Sequence, residues 1–178
     1  GLVGSEMCIR DSIQAVQGMA GGSYPVLRIM PNTPAAIGQG MILYSTSRNV
    51  EPAALEVFLD SMSGAGRFLR LEERLIDAAS AVSGCGPAFV DIFLEALADG
   101  AVACGLPRAA ARELAAQMVL GSAALALSSP EHTASLKDAV CSPGGTTIQG
   151  LRLLEQKGFR SAVIEAVIAA YEKNFDLK

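Results

Sequence analysis

Charge is scarce in this 178-residue chain, at 18% of residues, and aromatic side chains are scarcer, at 5% with no tryptophan. A net charge of -4 without any basic cluster excludes a nucleic-acid partner held through its phosphates. There is one histidine, His132, and the four cysteines Cys8, Cys85, Cys104 and Cys141 form no CxxC pair, so no metal site is predicted. They read as free thiols in a reducing compartment, and a cytoplasmic location is expected. No Gly-x-Gly-x-x-Gly loop opens a strand-turn-helix, and the sequence has no His-Glu-x-x-His, Gly-x-Ser-x-Gly or Walker pattern. The longest uncharged run near the middle, 114–130, is seventeen residues and includes Gln117 and three serines. A membrane span needs about 20 mostly apolar residues, so the run reads as a buried helix and no membrane partner is expected.

What the chain has instead is apolar bulk. Hydrophobic residues make up 51%, more than a soluble monomer of this size needs, which predicts an apolar face covered by a partner. Residues 1–12, GLVGSEMCIRDS, mix Gly, Ser and both charges without periodicity or targeting logic, and read as foreign to the rest of the chain. Residues 13–19 read as the tail of a short helix. YPVLRIM (24–30), bounded by Gly-Gly-Ser and Pro-Asn, reads as a buried strand. Helical spacing at 51–62 and the RFLRL run at 67–71 add a helix and a second strand, the end of an α/β unit.

Beyond residue 71 the strand signals vanish. Helices are expected at 87–104, from Pro107 to about 127, around 136–140, at 146–156 and at 159–175. The helix after Pro107 is apolar nearly all round and rich in alanine, which predicts burial against other helices.

Three glycine- and proline-rich stretches stand out. RIMPNTP (28–34) lies at the carboxyl end of a strand, where open α/β sheets bind ligands; the plain alternative is a strand-ending turn. SGCGPA (83–88) lets backbone approach a ligand closely, or simply starts a tightly packed helix. SPGGTTIQG (142–150) couples a glycine turn to a helix start, with Thr146 and Thr147 adding hydroxyls. Such a turn suits a carboxylate, while the plain alternative is ordinary N-capping. His132 reads as a solvated loop histidine, and neither Cys85 nor Cys141 has a base partner in sequence.

Taken in order, MPNTP, LIDAASAVSGCGPAF, ALADGAVACGLPR and LKDAVCSPGGTTIQGL with LEQKGFRSAVIEAV resemble pyrroline-5-carboxylate reductase, from about residue 13 onward. The resemblance implies a fold: an α/β remnant of a Rossmann domain over 13–71, then an all-α helical dimerisation domain over 72–178. The second would resemble the C-terminal domain of 6-phosphogluconate dehydrogenase. It also implies an oxidoreductase that reduces 1-pyrroline-5-carboxylate to L-proline, the last step of proline synthesis, with NADPH or NADH as cofactor. The partners implied are that small molecule and further copies of the chain, as a dimer or higher homo-oligomer. By the same resemblance Thr147 is the catalytic residue, bonding the ring nitrogen, and Glu73, Ser142, Gly144, Gly145 and Thr146 bind substrate with it. Met30, Asn32, Thr33 and Pro34 then line the nicotinamide side, and Cys85 stands where the family has serine.

Two rival readings stay open. One is a non-catalytic helical dimerisation module, favoured by the missing glycine loop. The other is a related NAD(P)-dependent dehydrogenase for another imine or a hydroxy acid. Such enzymes place a lysine on the leading helix, which here offers Asp91, Glu95 and Asp99 instead.

Overall fold

The computed structural model describes residues 11–174. The foreign-segment expectation for 1–12, Cys8 and the last predicted helical residue thus lie wholly or largely outside the described residues. The chain divides into two compact units, one comprising the residues up to Pro87 with those from Ala170 onward, the other Ala88–Ala169. Each is described by itself.

The first unit opens with helix α1, Ile13–Met19, where the Ser12 hydroxyl accepts the Ala15 N–H at 3.0 Å. Strands β1 (Leu27–Met30), β2 (Gly40–Thr46) and β3 (Gly66–Arg70) form one sheet in that order. β1 runs antiparallel to β2, with Leu27 opposite Thr46 and Met30 opposite Leu43. β2 and β3 are parallel, from Gly40 opposite Gly66 to Tyr44 opposite Arg70, and helix α2 (Pro52–Ser61) is their crossover. Helix α3 (Ile76–Ser83) packs on β2.

This arrangement revises the strand-helix-strand expectation. The β-α-β unit is made by β2, α2 and β3, and β2 is absent from the sequence-based expectation. Its residues MILYS show no alternation because nearly all are buried, so they lack the pattern of a half-exposed strand. The short link 31–39 holds only a 3-10 turn, Thr33–Ile37, and this suffices for an antiparallel neighbour but not for a parallel one.

Ile42, Leu43 and Tyr44 form the core with Ile76 and Ala81 of α3 and Ile13 of α1. Tyr44 meets Phe68 of β3 edge-on, ring centres 6.3 Å apart. At the start of the parallel pair the backbones approach too closely for side chains. A Cβ on Gly40 would lie 2.7 Å from both the Ala35 Cβ and the Ala65 carbonyl oxygen, and Gly66 has φ +136°.

One ion network ties three elements together. Arg28 of β1, its side chain only 13% exposed, reaches Glu73 Oε1 at 3.7 Å and Asp77 Oδ1 at 3.5 Å. The same Glu73 oxygen accepts the Ile13 N–H at 2.6 Å, an orphan donor of α1. Asn174 Nδ2 donates to the Asp77 carbonyl at 3.4 Å.

The second unit contains most of α4 (Gly86–Ala103), then α5 (Arg108–Ser128), α6 (Thr133–Ala139), α7 (Thr146–Gln156) and the body of α8 (Phe159–Lys173). Gly105, at φ +98°, ends α4. Pro107 is the N-cap of α5, one position earlier than a first-turn residue. Phe93 of α4 and Phe159 of α8 stack tilted, ring centres 5.7 Å apart.

The expectation that α5 is buried is corrected within the chain. Only Ala111 and Ala115 of α5 are buried, while Leu114, Met118, Leu120, Leu125 and Leu127 are exposed. A 21-residue helix that is apolar nearly all round has more apolar side chain than this unit covers by itself. The helical run Glu73–Ala103 is also long and apolar enough to cross a membrane by composition, though turn residues Gly84 and Cys85 interrupt it.

The sheet unit offers two stability tests. Gly40→Ala lowers the unfolding free energy by about 1–3 kcal/mol in urea titration, whereas Gly18→Ala, with open space around it, does not. Arg28→Met costs about 1–2 kcal/mol, since its contacts are longer than ideal charge-assisted bonds; no change would show that the network contributes nothing.

Candidate functional site

In the helical unit, the segment entering the predicted loop is set by α6. His132 is its N-cap, with Nδ1 accepting the Ala134 N–H at 3.1 Å, so the lone histidine serves the helix. At the other end the Cys141 thiol donates to the Lys137 carbonyl at 3.2 Å. Asp138, hydrogen-bonded to Lys137, holds that ammonium above the usual lysine range, so its positive charge is permanent at neutral pH.

Residues 142–145 then form a tight turn, closed by the Gly145 N–H on the Ser142 carbonyl at 3.0 Å. Pro143 and Gly144 occupy its centre, with Gly144 at φ +71°, the proline-glycine order that a type II turn requires. Gly145 is the N-cap of α7, and a Cβ there would run into the Ser142 hydroxyl. Having no side chain, Gly145 leaves the first-turn N–H groups uncapped, and no acidic residue sits in that turn.

This geometry bears on the capping alternative. A capping hydroxyl belongs to the N-cap residue, but Thr146 and Thr147 are the first and second helical residues beyond it. Both are exposed, and neither caps α7. The mouth of α7 thus presents free N–H groups, the positive end of the helix dipole and two hydroxyls together, which suits a carboxylate with a polar atom next to it.

The strand-end segment belongs to the sheet unit. Met30 ends β1, and Asn32 precedes the 3-10 turn in which Thr33 is exposed and Pro34 sets the first turn. The Asn32 amide is engaged at both ends: Nδ2 donates to the Ser83 carbonyl and Oδ1 accepts the Met41 N–H, each at 3.0 Å. The Ser83 hydroxyl oxygen is buried and has no hydrogen-bond partner. Cys85 lies exposed in the turn between α3 and α4. Glu73 faces Arg28 and holds the Ile13 N–H.

The structure therefore gathers Met30, Asn32, Thr33, Pro34 and Glu73 in the sheet unit and Ser142, Gly144, Gly145, Thr146 and Thr147 in the helical unit. Sequence reading missed Arg28, Asp77 and the Ser83 carbonyl. A lone charge inside an apolar strand was the available signal for Arg28.

Residues 73–177 match the family model for pyrroline-5-carboxylate reductase dimerisation. The chain is 50% identical over 154 residues to a pyrroline-5-carboxylate reductase of Synechocystis, covering 86% of this chain and 58% of that protein. With the Escherichia coli enzyme of that name the identity is 46% over 149 residues, covering 84% and 55%. A crystal structure of Plasmodium falciparum pyrroline carboxylate reductase with NADP bound superposes with a TM-score of 0.83 at 37% identity, over 90% of this chain and 65% of that one. The chain thus spans somewhat over half the length of these curated relatives. Its three-stranded sheet and predominantly helical remainder agree with the solved relative. With more than half its residues matched by the family model, the chain belongs to the pyrroline-5-carboxylate reductase family.

Proposed function

We propose that the protein carrying this chain reduces 1-pyrroline-5-carboxylate to L-proline with NADPH or NADH, as the names of its relatives indicate for them. The observation that carries this reading is the mouth of α7, where Thr146 and Thr147 stand past the N-cap with hydroxyls that capping does not engage. The substrate is a ring with one carboxylate beside one imine nitrogen. The uncapped N–H groups and Thr146 hold the carboxylate, and the Ser142–Gly145 turn supports them. Thr147 bonds the ring nitrogen, orienting the C=N face and steadying the nitrogen as it gains its proton.

When bound, the nicotinamide supplies the hydride that the imine carbon receives, so the chain needs neither nucleophile nor metal. The segment Met30, Asn32, Thr33 and Pro34 lines the nicotinamide side. The exposed Thr33 hydroxyl is a polar group open to that role, and the Ser83 hydroxyl is buried without a partner in the same unit. The 178 residues contain no glycine fingerprint for a pyrophosphate, so only the nicotinamide end has candidate residues here. Glu73, whose carboxylate lies 3.7 Å from the Arg28 guanidinium, is a further candidate substrate-binding residue.

In the same reading, 13–71 is the C-terminal part of a Rossmann domain, supported by the parallel β2-α2-β3 unit, and 72–178 is the helical dimerisation and substrate domain. The location is cytoplasmic. A second copy covers the apolar flank of α5, since Leu114 and Met118 are 58% and 47% exposed in the single chain.

Two measurements test this. In the intact protein, Thr147→Ala lowers kcat/KM for pyrroline-5-carboxylate by about 10–100-fold, the loss of one hydrogen bond to a charged group, while Tm stays put. Unchanged kinetics removes Thr147 from the site. Leu114→Glu with Met118→Glu converts the oligomer to monomer in light scattering while helix content by circular dichroism is kept. An unaltered mass would place the contact elsewhere.

A further inference from the structure

The Asn32 side chain joins three segments that are far apart in sequence. Through Nδ2 it serves the carbonyl of Ser83, the last residue of α3, one of the carbonyls for which a helix has no internal partner. Through Oδ1 it serves the N–H of Met41, which lies in β2 beyond the last β1–β2 pair, Met30 with Leu43. One amide thus replaces a missing ladder bond and a missing helix bond at once, and both contacts are 3.0 Å and partly buried. The next residue, Thr33, is exposed, and Ser83 has its buried hydroxyl unpartnered. The two hydroxyl-bearing residues at this end of the sheet are therefore set, directly or through one peptide bond, by Asn32.

We propose that Asn32 is a positioning residue of the reductase: within the segment on the nicotinamide side, its amide fixes Thr33 and Ser83 by bridging Met41 and Ser83 instead of bonding the cofactor. This rests on the reductase reading above. An asparagine with both ends of its amide engaged by main chain has little left to offer a ligand. Its removal would free the segment 31–34 from α3 and let the reacting geometry drift, which costs rate more than binding.

The bridge has separable halves. Asn32→Asp keeps the acceptor for Met41 but turns a carboxylate oxygen toward the Ser83 carbonyl; Asn32→Ala removes both contacts. In the intact protein both variants are expected to lose about 10-fold or more in kcat, while NADPH affinity by fluorescence titration changes by less than about threefold. The activity of Asn32→Asp relative to wild type should recover as the pH falls toward the carboxyl's titration range, because a protonated carboxyl donates to the Ser83 carbonyl again. Amide exchange at Met41 should stay slow in Asn32→Asp and quicken in Asn32→Ala. A loss of NADPH affinity that accounts for the whole loss of kcat/KM would make Asn32 a direct contact and overturn the proposal. Lowered Tm with normal kcat per folded molecule would reduce it to a structural bond and also overturn it. A wild-type intact protein that does not oxidise NADPH with pyrroline-5-carboxylate fails the reductase reading itself, a result visible before any variant is made.

Discussion

The helical unit has more apolar side chain than it can bury alone, and this constraint governs the second half of the chain. Among its buried hydrophobic residues are three alanines, Ala98, Ala111 and Ala115, while large side chains of α5 face outward. Alanines at such points let helices approach closely, and the leucines and methionines left over need another surface. A chain of this composition is therefore read more naturally as part of an assembly than as a finished globule. The same apolarity makes the run Glu73–Ala103 resemble a membrane helix by composition. Hydropathy alone does not distinguish a face meant for lipid from one meant for protein.

In the sheet unit the controlling feature is the opposite, a small number of polar side chains placed among apolar ones. Arg28 satisfies Glu73 and Asp77, Glu73 satisfies the first N–H of α1, and Asn32 satisfies Met41 and Ser83. Each links elements distant in sequence through groups that would be costly to leave unpaired. The candidate residues Glu73 and Asn32 thus have structural partners besides any ligand, and their substitution must be read through stability as well as rate.

Legibility differed by element. α7 was readable to the residue, because the Pro-Gly-Gly turn stops and restarts the chain within four residues; α1 was visible only as the tail of a helix, since its Ser12 cap falls in the stretch read as foreign. β1 and β3 were visible as apolar runs between breakers. β2 was not, since a central strand covered on both faces loses the alternation by which strands are recognised. At the loop before α7, the sequence displayed glycines and threonines but not which residue caps the helix. Had Thr146 been the N-cap, its hydroxyl would have been engaged and the plain reading would have sufficed.

By itself the sequence determined the helix-rich class, the order of most elements, the family, and the three stretches where ligand chemistry concentrates. These depend on local spacing, turn residues and residue type, all of which act over a few neighbouring positions. Only the tertiary structure decided that β1 and β2 are antiparallel, that Arg28 serves two carboxylates and that the Asn32 amide is engaged by Met41 and Ser83. It also decided that α5 stays exposed in the single chain. Pairing and burial are set by residues tens of positions apart, whose meeting no local pattern encodes.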